Sequence, residues 1–288
     1  TYAVDASALE YLARGQTKIE TFTVTLEDGQ GGSVDRTITV TLTGTNDKPV
    51  ITSADLSASL TEMATASGNL QAAGSMAFDD VDLSDQHTVS VSAGGDVLGS
   101  LTPTLTQDTS QGTGGVVDWA YSVSASALEY LAEGQEKIES FVITLSDGQG
   151  GSVTKTVNIT LVGTNDVPVV DSSDVTGAVS ELSSGSGTLR DSGTIGFSDL
   201  DLSDQHTVNV SATSASPLGN LIASVSTDTV DGVGGVISWS YSVASGALEY
   251  LAAGQTKVET FTLTLDDGNG GSVDRTVSIT LTGTNDKP

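Results

Sequence analysis

The chain alternates polar and apolar residues in short runs. Thr21-Phe22-Thr23-Val24-Thr25-Leu26 does so with period two, and so does Thr37-Ile38-Thr39-Val40-Thr41-Leu42. That periodicity predicts half-buried β-strands. Between the runs lies Glu27-Asp28-Gly29-Gln30-Gly31-Gly32-Ser33. Asp-Gly and Gly-Gly steps tolerate positive φ, so the segment predicts a hairpin. The pattern returns at 140–145 with 153–161 and at 260–265 with 273–281. Phe22, Phe141 and Phe261 hold one slot of it and are expected to point into a core.

More short strands precede the second and third hairpins. Thr88-Val89-Ser90-Val91 matches Thr207-Val208-Asn209-Val210, and 117–123 matches 237–243. In the latter pair Trp119 and Trp239 alternate with Tyr121 and Tyr241 and share one face. Two roles stay open for these tryptophans, a buried anchor or a stacking platform for sugars. Ala8–Ala13 and its copies predict one helical turn between strands. Many short strands with frequent turns predict an all-β protein of antiparallel β-sandwiches.

Leu9-Glu10-Tyr11-Leu12 recurs beginning at Leu128 and Leu248, spacings of 119 and 120 residues. A period that long is a whole domain, whereas solenoid repeats run to about 20–50 residues. Residues 50–168 and 169–288 read as full β-sandwich repeats, and 1–49 as the C-terminal part of one. Either the sequence begins inside a domain, or something outside it completes that first segment.

Ten Lys and Arg against 37 Asp and Glu give a formal charge of -27. Nucleic acid is excluded as a partner, because phosphates require basic surface. Anionic membranes are disfavoured for the same reason, and no apolar run approaches membrane-spanning length. Cysteine is absent, which removes disulfides, thiolate metal sites and a Cys nucleophile. It also points toward a secreted or surface protein of bacteria. No nucleophile–base set is recognisable, so an enzyme is not expected. His87 and His206 open equivalent strands and read as capping or surface residues.

The acids recur at fixed places. Asp80, Asp82 and Asp85 return as Asp199, Asp201 and Asp204, Glu62 returns as Glu181, and an Asn-Asp pair precedes each repeat boundary. Asp-x-Asp in a loop lets two carboxylates converge on a hard cation, and Ca2+ accepts six to eight oxygens in flexible geometry. The competing reading makes Asn-Asp-x-Pro a plain turn, in which Asn and Asp bond local backbone and Pro fixes φ.

The order of early Glu, Asp-x-Asp, Leu-Glu-Tyr, Asp-Gly-x-Gly-Gly and Asn-Asp-x-Pro resembles a cadherin-like repeat. More closely it resembles the VCBS-type repeats of large bacterial RTX adhesins. The resemblance covers nearly the whole chain, and FTVTLEDGQGGSVDRTITVTLTGTNDKP is its most specific part. It implies tandem cadherin-like or Ig-like Greek-key sandwiches with Ca2+ at the junctions. Carried over by position, the junction near residue 49 uses Glu10, Asn46 and Asp47 with Asp80, Asp82 and Asp147. The junction near 168 uses Glu62, Glu129, Asn165 and Asp166 with Asp199, Asp201 and Asp267. Glu181, Glu249, Asn285 and Asp286 form half a site. The linker lacks the flanking Asp and second Asn of cadherins, and Leu-Glu-Tyr-Leu keeps one acid where cadherins have two.

The resulting expectation is a calcium-rigidified extender of a secreted bacterial surface adhesin, whose partners are neighbouring repeats and, through other domains, cell-surface or matrix ligands. The alternative is a module binding carbohydrate or protein. Its site would lie where the copies diverge, at Gly94–Gly99 and Ser214–Gly219.

Overall fold

The computed structural model describes residues 1–183 and 185–285. Two compact units form. The first contains Thr1–Leu60, Gly68–Ser124 and Lys137–Leu161, and the second contains Thr61–Ser67, Ala125–Glu136 and Val162–Pro288.

In the first unit, β1 (Thr17–Glu27) and β2 (Ser33–Thr43) make the expected hairpin, with Phe22 opposite Ile38. Eight further strands follow: β3 (Val50–Ala54), β4 (Ser57–Thr61), β5 (Asn69–Asp79), β6 (Thr88–Ala93), β7 (Ser100–Gln107), β8 (Gly115–Ser124), β9 (Glu136–Ser146) and β10 (Ser152–Val162). They form two sheets ordered β3-β5-β8-β7 and β4-β10-β9-β6.

The second unit repeats this plan. Its strands are β11 (Val169–Ser173), β12 (Thr176–Ser180), β13 (Thr188–Ser198), β14 (Thr207–Ala212), β15 (Asn220–Thr227), β16 (Gly235–Ala244), β17 (Thr256–Asp266) and β18 (Ser272–Thr282). The sheets run β11-β13-β16-β15 and β12-β18-β17-β14. This is the strand order of an Ig-like Greek key.

The edge pairing departs from an all-antiparallel sheet. Strand β12 runs parallel to β18, Thr176 opposite Ser278. The cause is connectivity: after pairing with β13 the chain crosses at Asp174-Val175 to the other sheet and keeps its direction. The helical turn is a three-residue 3-10 segment and falls slightly earlier than expected, at Ala6–Ala8, Ala125–Ala127 and Ser245–Ala247.

Period-two alternation becomes burial. Phe197, Ile237, Trp239 and Tyr241 from one sheet of the second unit pack in a single core with Phe261, Leu263, Val277 and Ile279 from the other. Trp119 and Trp239 are 1% and 2% exposed, and their ring N–H groups donate to the carbonyls of Asp55 and Asp174 at 2.9 and 2.7 Å. They are core anchors, which removes the sugar platform. Phe141 and Phe261 are buried, but Phe22 is 44% exposed. The β1-β2 hairpin is a two-stranded sheet, and Phe22 meets the Tyr2 ring at 5.7 Å in place of a facing sheet.

Each sandwich also buries a carboxylate. Glu259 accepts the Tyr241 hydroxyl at 2.7 Å and the Leu218 and Gly219 N–H groups at 2.5 and 3.2 Å. Glu139 does the same with Tyr121, Leu98 and Gly99. The divergent 94–99 and 214–219 loops are thus pinned to the core at their ends. Burial opposes ionisation of Glu259, but these donors outweigh it and lower its pKa.

Tryptophan packing requires glycine opposite it. A Cβ on Gly193 would lie 2.6 Å from Trp239 Cζ2, with Asp174 also close. Gly193→Ala should therefore destabilise the second unit by about 1–3 kcal/mol through overpacking. Urea unfolding followed by tryptophan fluorescence reads this, and an unchanged midpoint would refute the packing argument.

Candidate metal centres

Loops at one end of the sandwich bring the recurring acids together. Asp80, Asp82 and Asp85 occupy the segment between β5 and β6, and Asp147 opens the β9-β10 turn. In the first unit Asp80, Asp85 and Asp147 each point one carboxylate oxygen into a group spanning no more than 4.8 Å, and all three are buried. Asp199, Asp204 and Asp267 do the same in the second unit. A further group there joins Glu62, Glu129 and Asp166.

The linkers are tied into these groups. Asp47 N–H donates to Asp82 Oδ2 at 2.8 Å, and Asn46 Nδ2 donates to Asp147 Oδ2 at 2.9 Å. The second unit repeats both: Asp166 N–H to Asp201 at 2.7 Å, and Asn165 Nδ2 to Asp267 at 3.1 Å. Asp147 is shaped by its turn, since Oδ1 accepts the N–H groups of Gln149, Gly150 and Gly151 at 2.7, 3.1 and 3.0 Å. Burial opposes its ionisation, but the donors, Asn46 first, hold its pKa below the usual range. Glu62 Oε2 accepts Thr164 N–H at 2.8 Å, which fixes the early Glu against the linker.

Several oxygens in these groups have no donor. Asn46 Oδ1, Asp82 Oδ1 and Asp85 Oδ2 are buried without a hydrogen-bond partner in the first unit. In the second the set is Asn165 Oδ1, Asp201 Oδ1, Asp204 Oδ2, Glu62 Oε1, Glu129 Oε1 and Asp166 Oδ2. Among the described residues one more such atom is known, Glu181 Oε1. All are oxygen acceptors, and buried acceptors without donors are costly. An oxygen-only donor set of this kind suits a hard divalent cation such as Ca2+.

Electrostatics agree with the geometry. Burial and neighbouring carboxylates push Asp201 and Glu62 up to about 7 and Asp85 up to about 6. Asp82, Asp166 and Asp204 are raised for the same reasons.

Of the residues named from sequence, Asn46, Asp47, Asp80, Asp82 and Asp147 meet in the first unit. Glu62, Glu129, Asn165, Asp166, Asp199, Asp201 and Asp267 lie in the two groups of the second and in the linker bonded to them. Glu10 is exposed and joins no carboxylate group among the described residues. Glu181 is buried and accepts Thr284 N–H at 2.8 Å, while Asp286 lies outside the described residues. Asp85 and Asp204 were not among the expected ligands, although their fixed recurrence was a signal.

The histidines are neither capping nor surface residues. Both side chains are fully buried. His87 bridges Asp108 (Nδ1 to Oδ1, 2.7 Å) and Asp80 (Nε2 to Oδ2, 3.1 Å), and His206 bridges Asp228 and Asp199 at 2.7 and 3.0 Å. Burial alone would lower the pKa of His206, but its two carboxylate bonds raise it.

No family model matches this sequence, and neither does any curated protein. Solved structures similar to it include protocadherin gamma B2 extracellular cadherin domains 1–5, at 16% identity over 94% of this chain and 47% of that one, with a TM-score of 0.47. Protocadherin gamma C5 EC1–3 matches at 14% identity over 92% and 77%, with a TM-score of 0.42. Mouse clustered protocadherin gamma C3 EC1–3 matches at 11% over 97% and 80%, with a TM-score of 0.38. The chain spans about half the length of the first of these. Among the described residues no helix is long and apolar enough to cross a membrane.

The raised carboxyls set a pH dependence for the metal-free protein. The unfolded chain releases these protons near pH 4, while the folded chain retains those of Asp85, Asp201 and Glu62 to about 6–7. Stability is therefore lost as pH rises from about 4 through about 7. His206, held protonated above its unfolded value, acts in the same direction. Thermal melts in EDTA should show a falling Tm between pH 5 and pH 8, and a Tm that rises across that window would refute this electrostatic account.

Proposed function

We propose that this chain is a calcium-rigidified extender segment of a secreted bacterial surface adhesin. Its working units are the repeats 1–49, 50–168 and 169–288, and its immediate partners are neighbouring repeats of the same chain. Other domains of such a protein would carry the ligand-binding tip. The observation that supports this reading is the pooling of donorless buried oxygens from linkers and following loops at equivalent places. Asn46, Asp47, Asp80, Asp82, Asp85 and Asp147 would hold the cation in the first unit. Glu62, Glu129, Asn165, Asp166, Asp199, Asp201, Asp204 and Asp267 would do so in the second. Calcium supplies compensating positive charge and coordination to these oxygens. Without it the carboxylates repel one another and the linkers loosen.

Ion binding to the folded form adds stability by mass action, about 2.7 kcal/mol at a hundredfold excess over Kd. Small-angle scattering and thermal melts in calcium and then EDTA test the reading. The expected result is a larger, stiffer particle and a higher Tm in calcium. Asp199→Asn with Asp201→Asn should reduce that response while both units stay folded. Identical scattering and melting in calcium and EDTA would leave the acids as solubility charge and sink the proposal.

A further inference from the structure

The same buried imidazole bridge occurs in both units and touches a candidate calcium ligand in each. Asp108 grips His87 twice, accepting the main-chain N–H at 3.1 Å and ring Nδ1 at 2.7 Å. Asp228 grips His206 with the same two distances. The ring is further fixed by an aromatic neighbour, with Phe78 to His87 and Phe197 to His206 centroids both 4.8 Å apart. Neither ring faces solvent, and Asp108 and Asp228 keep about a third of their side-chain surface exposed. Each bridge therefore runs from the surface to the carboxylate group.

At its inner end the bridge completes the restraint on one carboxylate. Asp199 Oδ1 accepts Asp201 N–H at 3.0 Å, and Oδ2 faces His206 Nε2 at 3.0 Å. Asp80 is held by Asp82 N–H and His87 at 3.0 and 3.1 Å. The terminal torsion of an aspartate is broad and roughly two-fold, so a donor on one oxygen leaves the group free to tilt. Donors on both oxygens fix its plane and decide which lone pairs remain for an ion. In many metal sites a carboxylate orients a metal-bound histidine; here the order is reversed, with histidine orienting a carboxylate.

We infer that His87 and His206 are positioning residues for the cation centres, that they set the orientation of Asp80 and Asp199, and that Asp108 and Asp228 anchor them. The inference rests on the calcium reading above. Loss of an outer support of this kind typically weakens metal affinity about 10- to 100-fold.

The test is calcium titration of the full chain by calorimetry, together with NMR of the His206 ring nitrogens. In wild-type protein calcium should shift the His206 Nε2 resonance, saturating in step with the calorimetric isotherm. His206→Leu should weaken the second-unit centres about 10- to 100-fold while the Asp80 centre of the same molecule keeps its affinity. His206→Gln, which can still donate to Asp199, should lose less. Asp228→Ala should weaken binding in the same direction. Trp239→Phe, a core change away from the bridge, controls for a general stability loss and should leave affinity unchanged.

If wild-type protein binds no calcium, the functional reading itself fails and this inference falls with it. If wild-type protein binds calcium but His206→Leu and Asp228→Ala bind equally well, only the positioning role fails. Should His206→Leu not fold, the wild-type resonance decides: an Nε2 signal that calcium does not move overturns the inference.

Discussion

The structure depends on keeping ionised oxygens out of water without enough donors to satisfy them. Asp82 and Asp201 have no exposure at all, and each leaves one oxygen unpaired. Taking an unpaired carboxylate from water costs far more than a neutral hydrogen bond returns. Either protons or a cation must compensate, and the raised carboxyl pKa values are the proton solution. Elsewhere the same fold satisfies buried acids completely. Glu139 and Glu259 each meet a tyrosine hydroxyl and two backbone N–H groups. The contrast separates acids that fasten loops from acids whose buried oxygens lack a donor.

The scaffold places this chemistry through ordinary sandwich geometry. Strands are buried on alternate residues, so the core consumes the apolar positions and the acids collect in the connections. Asp147 and Asp267 open turns whose N–H groups orient them, and the Asp-x-Asp segments directly follow β5 and β13. The linker then closes over the group by donating its own N–H and amide groups. The turn and the carboxylate group are thus joined by the same linker residues. The sequence posed these as alternatives for Asn-Asp-x-Pro, yet the local hydrogen bonds that make the turn also leave Asn46 Oδ1 and Asn165 Oδ1 unpaired.

Period-two alternation, hairpin glycines and a 119- to 120-residue repeat were enough for the all-β class, the hairpins and most of the acids that the fold gathers into groups. These signals are local or repeat in register, and strand formation depends on them directly. What sequence could not supply was long-range partnership. The exposure of Phe22 follows from which strands face its hairpin, a fact that its own alternation does not contain. Asp85 and Asp204 recurred visibly, but only the loop's path turns their carboxylates toward Asp147 and Asp267. The histidines read as strand-start residues because Asp108 and Asp228 lie 21 and 22 residues away, and only the folded loop turns Asp80 and Asp199, seven residues back, toward the rings. Period and turn chemistry act between neighbours and are written along the chain. Burial, charge compensation and the orientation of a carboxylate depend on what folding brings from elsewhere, and tertiary structure alone decided them.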